Sequence, residues 1–251
     1  MVLTTKTLYE PEPQRVVGKY GRKPGHVPNG LRDLTWYVAG ALPIPPTSVT
    51  PPELTWGMDG NDTYGDCGVA GLHHSNMALD SAIKRGQLQV TAEQIVQYYL
   101  TYTGGQDDGV VLADFLKYVK KNDFFSRSLR AYAPVSVSDF ATLQFTINAY
   151  ASAYTGIVVT EAMEQAFGAG QPWTSATAGG QIMGGHCIPL VGYDSQFLYA
   201  VTWGQLQKIE YSAWHLIAQE AWTMIFGEVG SQGIREINLE ALEADITKLT
   251  T

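Results

Sequence analysis

Apolar positions fall into two regimes along this chain. Between residues 67 and 122 they recur at helical spacing: Val69, Leu72, Leu79 and Ile83 form one stripe, Ile95, Tyr98 and Tyr99 a second, and Leu112, Phe115, Leu116 and Val119 a third. The first stripe predicts a helix over about 67–85, closed by the basic turn and glycine of KRG at 84–86. Thr91 with Glu93 and Gln94 supplies capping chemistry for the second helix, and the turn GGQDDG separates it from the third. After Pro134 the pattern changes. The run TGIVV reads as a strand, the glycine-rich GAGQPWTSATAGGQIMGG as a loop, and HCIPLVGYD with FLYAVTWG as two strands paired around a turn at Asp194–Gln196.

Helices first and strands later is the order of an α+β fold, here a helical first half packed on an antiparallel β second half. Ahead of it, residues 1–56 are rich in proline and glycine and end in LPIPPTSVTPPELTW, which denies regular helix or central strand. They are expected to form an extended arm, in which LRDLTWYVAGAL carries enough apolar side chains to dock as a short element. The body then spans residues 57–228. A tail at 229–251 holds a short amphipathic helix marked by Leu239, Leu242, Ile246 and Leu249.

At 251 residues, 45% hydrophobic and 16% charged, the chain can bury a sizeable core, and disorder is excluded as its general state. No run reaches the roughly 18 consecutive apolar residues of a membrane span, and MVLTTKTLYEPEPQRVV lacks the charged-then-apolar order of a signal peptide. The expected location is therefore cytoplasmic or virion-associated, with no membrane partner. The formal charge of −8 is uneven, because residues 1–57 carry six Lys/Arg against four Asp/Glu and the remainder is strongly acidic. Arg15, Lys19, Arg22 and Lys23 are expected to face acidic groups of the body or of neighbouring subunits. The absence of interleaved aromatic platforms disfavours nucleic acid.

Two cysteines, Cys67 and Cys187, are too few for a disulfide framework and point to a reducing compartment. Thiol chemistry needs a thiolate, an imidazole and donors for an oxyanion. In NDTYGDCGVAGLHH, Cys67 opens the first helix, where unpaired N–H groups favour the anion, and Gly65 and Gly68 are expected to leave it open to a substrate. Asp66 reads as a charge complementing the helix N-terminus. His186 follows a glycine pair and opens a strand; its neighbour Cys187 should face the other way, into the core, which argues against a Cys67–Cys187 disulfide. No metal or cofactor is expected: His73 and His74 lack a second ligand pair at usable spacing and read as helix-surface histidines, and Asp107–Asp108 as a solvated turn.

These residues, in order over about 54–205, resemble the papain-like cysteine peptidase fold. Asn61, Gly65 and Cys67 match the family's oxyanion amide, glycine and nucleophile; TAEQIV, Gly104–Gly105 and ADFLKYV are similar to the segments that follow; GGHCIPLVGYD and VTWG match its histidine strand and the Trp-Gly after it. The family's glutamine is here Asn61. Its third residue, an asparagine, aligns with Val201 by the Trp-Gly pair or with Thr202 by the distance from His186, and only Thr202 can hydrogen-bond. The resemblance implies a thiol hydrolase cleaving an amide bond of a protein or peptide, with Cys67, His186, Asn61 and Thr202 as its site and Trp203 packed over the histidine. The alternative is a catalytically inactive papain-like module, partly degenerate, serving as a structural or binding component of a larger assembly such as a phage virion. In that reading the arm and the C-terminal helix attach it to neighbouring subunits.

Overall fold

A computed structural model of the chain describes residues 15–229 and 237–250. Helix α1 (Cys67–Ala82) is followed by α2 (Ala92–Tyr102), a two-residue strand and α3 (Leu112–Asn122). The second half builds one antiparallel sheet from β3 (Leu129–Val135), β4 (Ala153–Thr160), β5 (Ile182–Tyr193), β6 (Phe197–Thr202), β7 (Gln205–Glu210) and β8 (Ala218–Phe226), in the order β3-β8-β4-β5-β6-β7. Four shorter helices cross between these strands: α4 (Phe140–Tyr150), α5 (Glu161–Gly168), α6 (Ser175–Ala178) and α7 (Tyr211–Ile217). Before them, β1 (Arg22–Lys23) of the N-terminal segment pairs in parallel with β2 (Val110–Val111). The fold is α+β, helices first and antiparallel sheet second.

Helix α1 is the axis of the molecule. The sequence stripe anticipates one buried face, whereas the helix is buried nearly all round, His73, His74, Ser75, Asn76 and Asp80 included. It packs along β5, and Tyr154 from β4 donates to the Gly68 carbonyl at 2.7 Å. It also ends earlier than 85, at Ala82, because Lys84 takes a left-handed backbone (φ 55) that closes the last turn. Helix α2 carries the full capping box between Thr91 and Gln94. The turn at Asp194 is closed by its own carboxylate, which accepts from the Gln196 and Phe197 N–H groups at 2.7 and 2.8 Å.

Three strands of this sheet, β3, β7 and β8, were not legible in the pattern, β7 because its six residues QLQKIE are largely polar. β3 contains Pro134, which reads as a break; β3 lies at the sheet edge, where a residue without N–H costs no ladder bond. β8 alternates poorly because Trp222, Met224, Ile225 and Phe226 are all buried, as in a strand covered on both faces. The Leu34–Tyr37 stretch forms a 3-10 turn that buries Leu34 and Tyr37. The C-terminal helix Leu239–Thr250 lies on it and on β3, with Leu242 and Ile246 buried and Tyr37 donating to Asp245 at 3.0 Å.

One ion pair sits inside this core. Asp80 of α1, fully buried, accepts from Arg127 Nη2 through both carboxylate oxygens at 2.8 and 2.9 Å, and from the Leu88 N–H at 2.8 Å. Removing Asp80 leaves the buried Arg127 guanidinium with Glu228, 3.3 Å from its Nη1, as its remaining acidic neighbour, and breaks the two-oxygen contact. Asp80→Ala is therefore expected to lower unfolding free energy by about 3–5 kcal/mol in urea titrations; a loss below about 1 kcal/mol would show that Glu228 alone suffices to hold Arg127.

Candidate active site

Cys67 Sγ lies where the first turn of α1 meets strand β5. The Cys187 N–H points at it from 3.4 Å, and the Gly68 and Gly21 N–H groups add to the favourable field around the sulfur. His186, the preceding residue on β5, lines the same small cavity together with Asn61, Thr202 and Trp203. Its Nε2 is 2.8 Å from Thr202 Oγ1, its Nδ1 is buried with no hydrogen-bond partner, and the Trp203 ring stacks on it with centroids 4.7 Å apart. Of the two positions left open in the sequence, Thr202 holds the imidazole; Val201 is buried in a small apolar cluster. All four anticipated residues, Cys67, His186, Asn61 and Thr202, converge on one cavity. Asn61 Nδ2 donates to the Tyr64 carbonyl at 3.0 Å, and the same amide lies near Asp66.

Gly65 and Gly68 do not leave the thiol open. The N-terminal arm runs through the cleft: Lys19 N–H donates to the Asn61 carbonyl at 2.6 Å, the Tyr20 ring stands edge-on to His186 and Trp203 at 6.0 Å, and the Tyr20 hydroxyl donates to Glu164. Gly21 then lies on Gly65 so closely that a Cβ on it would fall 1.6 Å from the Gly65 carbonyl oxygen. Its carbonyl accepts from the Val110 N–H at 2.6 Å, so the arm turns an N–H, and not a carbonyl carbon, toward the sulfur. An amide presented this way cannot be attacked. Beyond it, Arg22 pairs with Glu220 at 2.7 Å and Lys23 approaches Asp108 at 3.7 Å, as the charge asymmetry anticipates. Arg15 departs from it, donating to the Leu206 carbonyl and the Gln207 side chain, and Lys19 is exposed.

Under this cover Cys67 is 2% exposed and His186 1%. Burial pushes the Cys67 thiol up to about 12, with Asp66 adding to the rise and the three N–H groups opposing it. Burial alone pushes His186 down to about 3. Both groups are therefore neutral at pH 7 while the arm is seated. Cys187 is buried against α1 and Tyr154, and both cysteines are free thiols.

Two sequence readings need correction. His73 and His74 are buried, not on a helix surface, because α1 has no free face there: His73 Nδ1 is 2.6 Å and His74 Nε2 3.1 Å from Asp59, and His74 Nε2 is 2.9 Å from the Gly57 carbonyl. Burial tends to raise the Asp59 carboxyl, but the two imidazoles outweigh it and hold it well below the usual carboxylate range. Asp59 itself sits in a left-handed conformation (φ 55), so this cluster pins the loop that carries Asn61. Asp66 makes no cap hydrogen bond and has no well-aligned partner for either oxygen; burial drives it up to about 8, the nearby Asn61 amide opposing and Asp59 and Asp107 adding. It is a buried neutral acid rather than a charge on the helix dipole. Asp107 and Asp108 are exposed, as in a solvated turn, and Asp107 also accepts from the Gly65 N–H and the Tyr99 hydroxyl, each at 2.8 Å. The adjacent pair of histidines about two turns along α1 from Cys67 was the available signal for the first cluster, whereas nothing in the sequence spacing marks Glu220. Among the described residues no cluster of three or more His, Cys, Asp or Glu is placed to hold a metal ion.

The cysteine protease xylellain from Xylella fastidiosa superposes on this chain with a TM-score of 0.62 at 15% identity, over 84% of this chain and 97% of that one. The fold is papain-like. No protein-family model and no curated protein sequence matches the chain. Cys67 at the head of α1 and His186 on strand β5 line one cavity of this fold.

The neutral Asp66 has a pH consequence with a definite sign. Below about pH 4 it is protonated folded and unfolded and contributes nothing; from about 4 to about 8 the unfolded chain ionises while the folded one keeps its proton, so stability from this group falls as pH rises. Asp66→Asn should thus gain on the wild type progressively between pH 4 and 8 in urea unfolding. A difference that does not vary with pH would mean that the carboxyl ionises normally.

Proposed function

We propose that the protein is a papain-like thiol hydrolase that cleaves an amide bond of a protein or peptide. The observation that carries this reading is His186: one ring nitrogen is held by Thr202, the other is buried and unpartnered, and the residue lines the same cavity as Cys67. A purely structural histidine would use both.

In this reading Nε2–H donates to Thr202, so Nδ1 carries the lone pair that takes the Cys67 proton. The thiolate attacks the substrate carbonyl, forming an S–C bond; charge on the carbonyl oxygen is met by the Cys67 N–H and the side-chain amide of Asn61. His186 returns its proton to the leaving nitrogen as the C–N bond breaks, and water then hydrolyses the thioester with the same imidazole as base. Trp203 shields the ring and fixes its plane. The step requires the arm to leave, since its departure rehydrates the pair and lets the thiol fall and the imidazole rise toward a charged dyad.

Iodoacetamide labelling of full-length Arg22→Ala, in which the arm loses its buried anchor, tests this. Cys67 is expected to react at least about tenfold faster than Cys187 and to stay reactive below pH 7, with His186→Ala abolishing the advantage. Hydrolysis of peptides should appear in the same variant and vanish in Cys67→Ser. Equal, slow labelling of both thiols that rises only near about pH 8.5, without hydrolysis, would favour the second reading, an inactive module within a larger assembly, to which the neutral dyad of the covered state lends its support.

A further inference from the structure

Arg22 follows directly on Gly21, whose N–H faces the Cys67 sulfur, and its side chain leaves the arm for the body, where only 5% of it remains exposed. Its Nε and Nη2 both reach Glu220 Oε1, at 2.8 and 2.7 Å. Glu220 is prepared for this role, because the indole N–H of the buried Trp222 holds its other oxygen at 2.8 Å and fixes the carboxylate plane. The space around the guanidinium is made by two glycines. A Cβ at Gly156 would lie 2.6 Å from Arg22 Nε, and one at Gly185 would lie 2.4 Å from the Arg22 carbonyl oxygen. Glu220, Gly156 and Gly185 come from three neighbouring strands, β8, β4 and β5, and thus belong to the rigid sheet rather than to the arm.

We propose that Glu220, Trp222, Gly156 and Gly185 form a pocket for an arginine side chain of the substrate, one residue away from the residue seated at Cys67, and that Arg22 fills it while the arm is in place. When the arm leaves, the Glu220 carboxylate is left in a recess of the sheet without its cation, and a guanidinium restores what was lost. Arginine is favoured over lysine, because its planar fork places two N–H groups on one oxygen and its flat head fits the slot above Gly156, whereas an ammonium offers a single rotatable contact. The assignment of this ligand to a substrate rests on the thiol-hydrolase reading; the affinity of the pocket for a guanidinium does not.

The experiment uses full-length Arg22→Ala, with Arg22→Gln as a second variant should alanine prevent folding. N-acetyl-arginine amide is expected to raise the melting temperature of the variant in a dose-dependent way and leave the wild type unchanged. The citrulline analogue, neutral and of the same shape, should do neither, and the lysine analogue should do less. Adding Glu220→Gln should abolish the response. Peptide libraries digested by Arg22→Ala should be cut next to the residue adjoining arginine, with about tenfold preference over citrulline, and Glu220→Gln should remove that preference. Equal responses to arginine and citrulline, or a preference that survives Glu220→Gln, would overturn the pocket. Thermal rescue without any cleavage would uphold the pocket and overturn the hydrolase; cleavage without rescue or arginine preference would do the reverse.

Discussion

The structure turns on the contact of Gly21 with Gly65. Two backbones without side chains approach so closely there that no other residue fits at position 21 without displacing the Gly65 carbonyl. That approach sets the height of the arm in the cleft. It lets Lys19 pair with Asn61, lets the Gly21 carbonyl pair with Val110, and brings the Gly21 N–H to the sulfur of Cys67. From the same seating, Tyr20 reaches His186 and Trp203 on one side of the thiol and Arg22 reaches Glu220 on the other. The electrostatic state of the site is its consequence. Burial beneath the arm favours the uncharged forms of both Cys67 and His186, so the same residues that furnish a dyad are held as a neutral pair.

The cleft floor is built with buried polar groups, which are costly unless paired. Asp59 is held between two imidazoles from α1 and Asp80 is bound to Arg127, while the exposed Asp107 is bonded by Gly65 and Tyr99. The Asp59 bonds tie the 57–66 loop, which presents Asn61, to the central helix, which presents Cys67, and Asp107 links Gly65 of that loop to Tyr99 of α2. A loop with left-handed Asp59 and Gly60 would not hold one geometry by backbone preference alone. Asp66 is the exception, a buried acid that stays uncharged because it lacks well-aligned partners. Placed beside Cys67, it adds to the rise of the thiol through the charge it carries once ionised.

Much of the architecture was legible because it rests on short-range pattern. The helical stripes, the capping box at Thr91, the Asp194 turn and the order of Cys67, Asn61, His186 and Trp203 follow from residue types at fixed spacing. The choice between Val201 and Thr202 was not legible, since it depends on where strand β6 ends relative to His186; the 2.8 Å contact decides it geometrically. Burial on all faces of α1 was hidden because His73, His74, Asn76 and Asp80 are polar, and only tertiary partners make such residues internal. Strands β3 and β8 were hidden for opposite reasons, one by a proline tolerated at an edge and the other by apolar residues without alternation. The arm's route was foreshadowed only by its charge, and its registration on the thiol by nothing more than the glycines of VGKYGRK.

The central claim is that the arm is seated on the thiol in the native protein and is part of its ordered structure. Hydrogen exchange measured at single residues across 17–24 of the full-length chain reads this directly. Protection is expected at the Lys19 and Gly21 amides, which face Asn61 and Cys67, and at Val110, which donates to Gly21. Alkylation of Cys67 should remove the protection of Gly21 and Val110 together, because the arm cannot stay seated over an enlarged sulfur. Exchange of the Lys19 and Gly21 amides at the rate of an unstructured peptide in the unmodified protein would contradict the account.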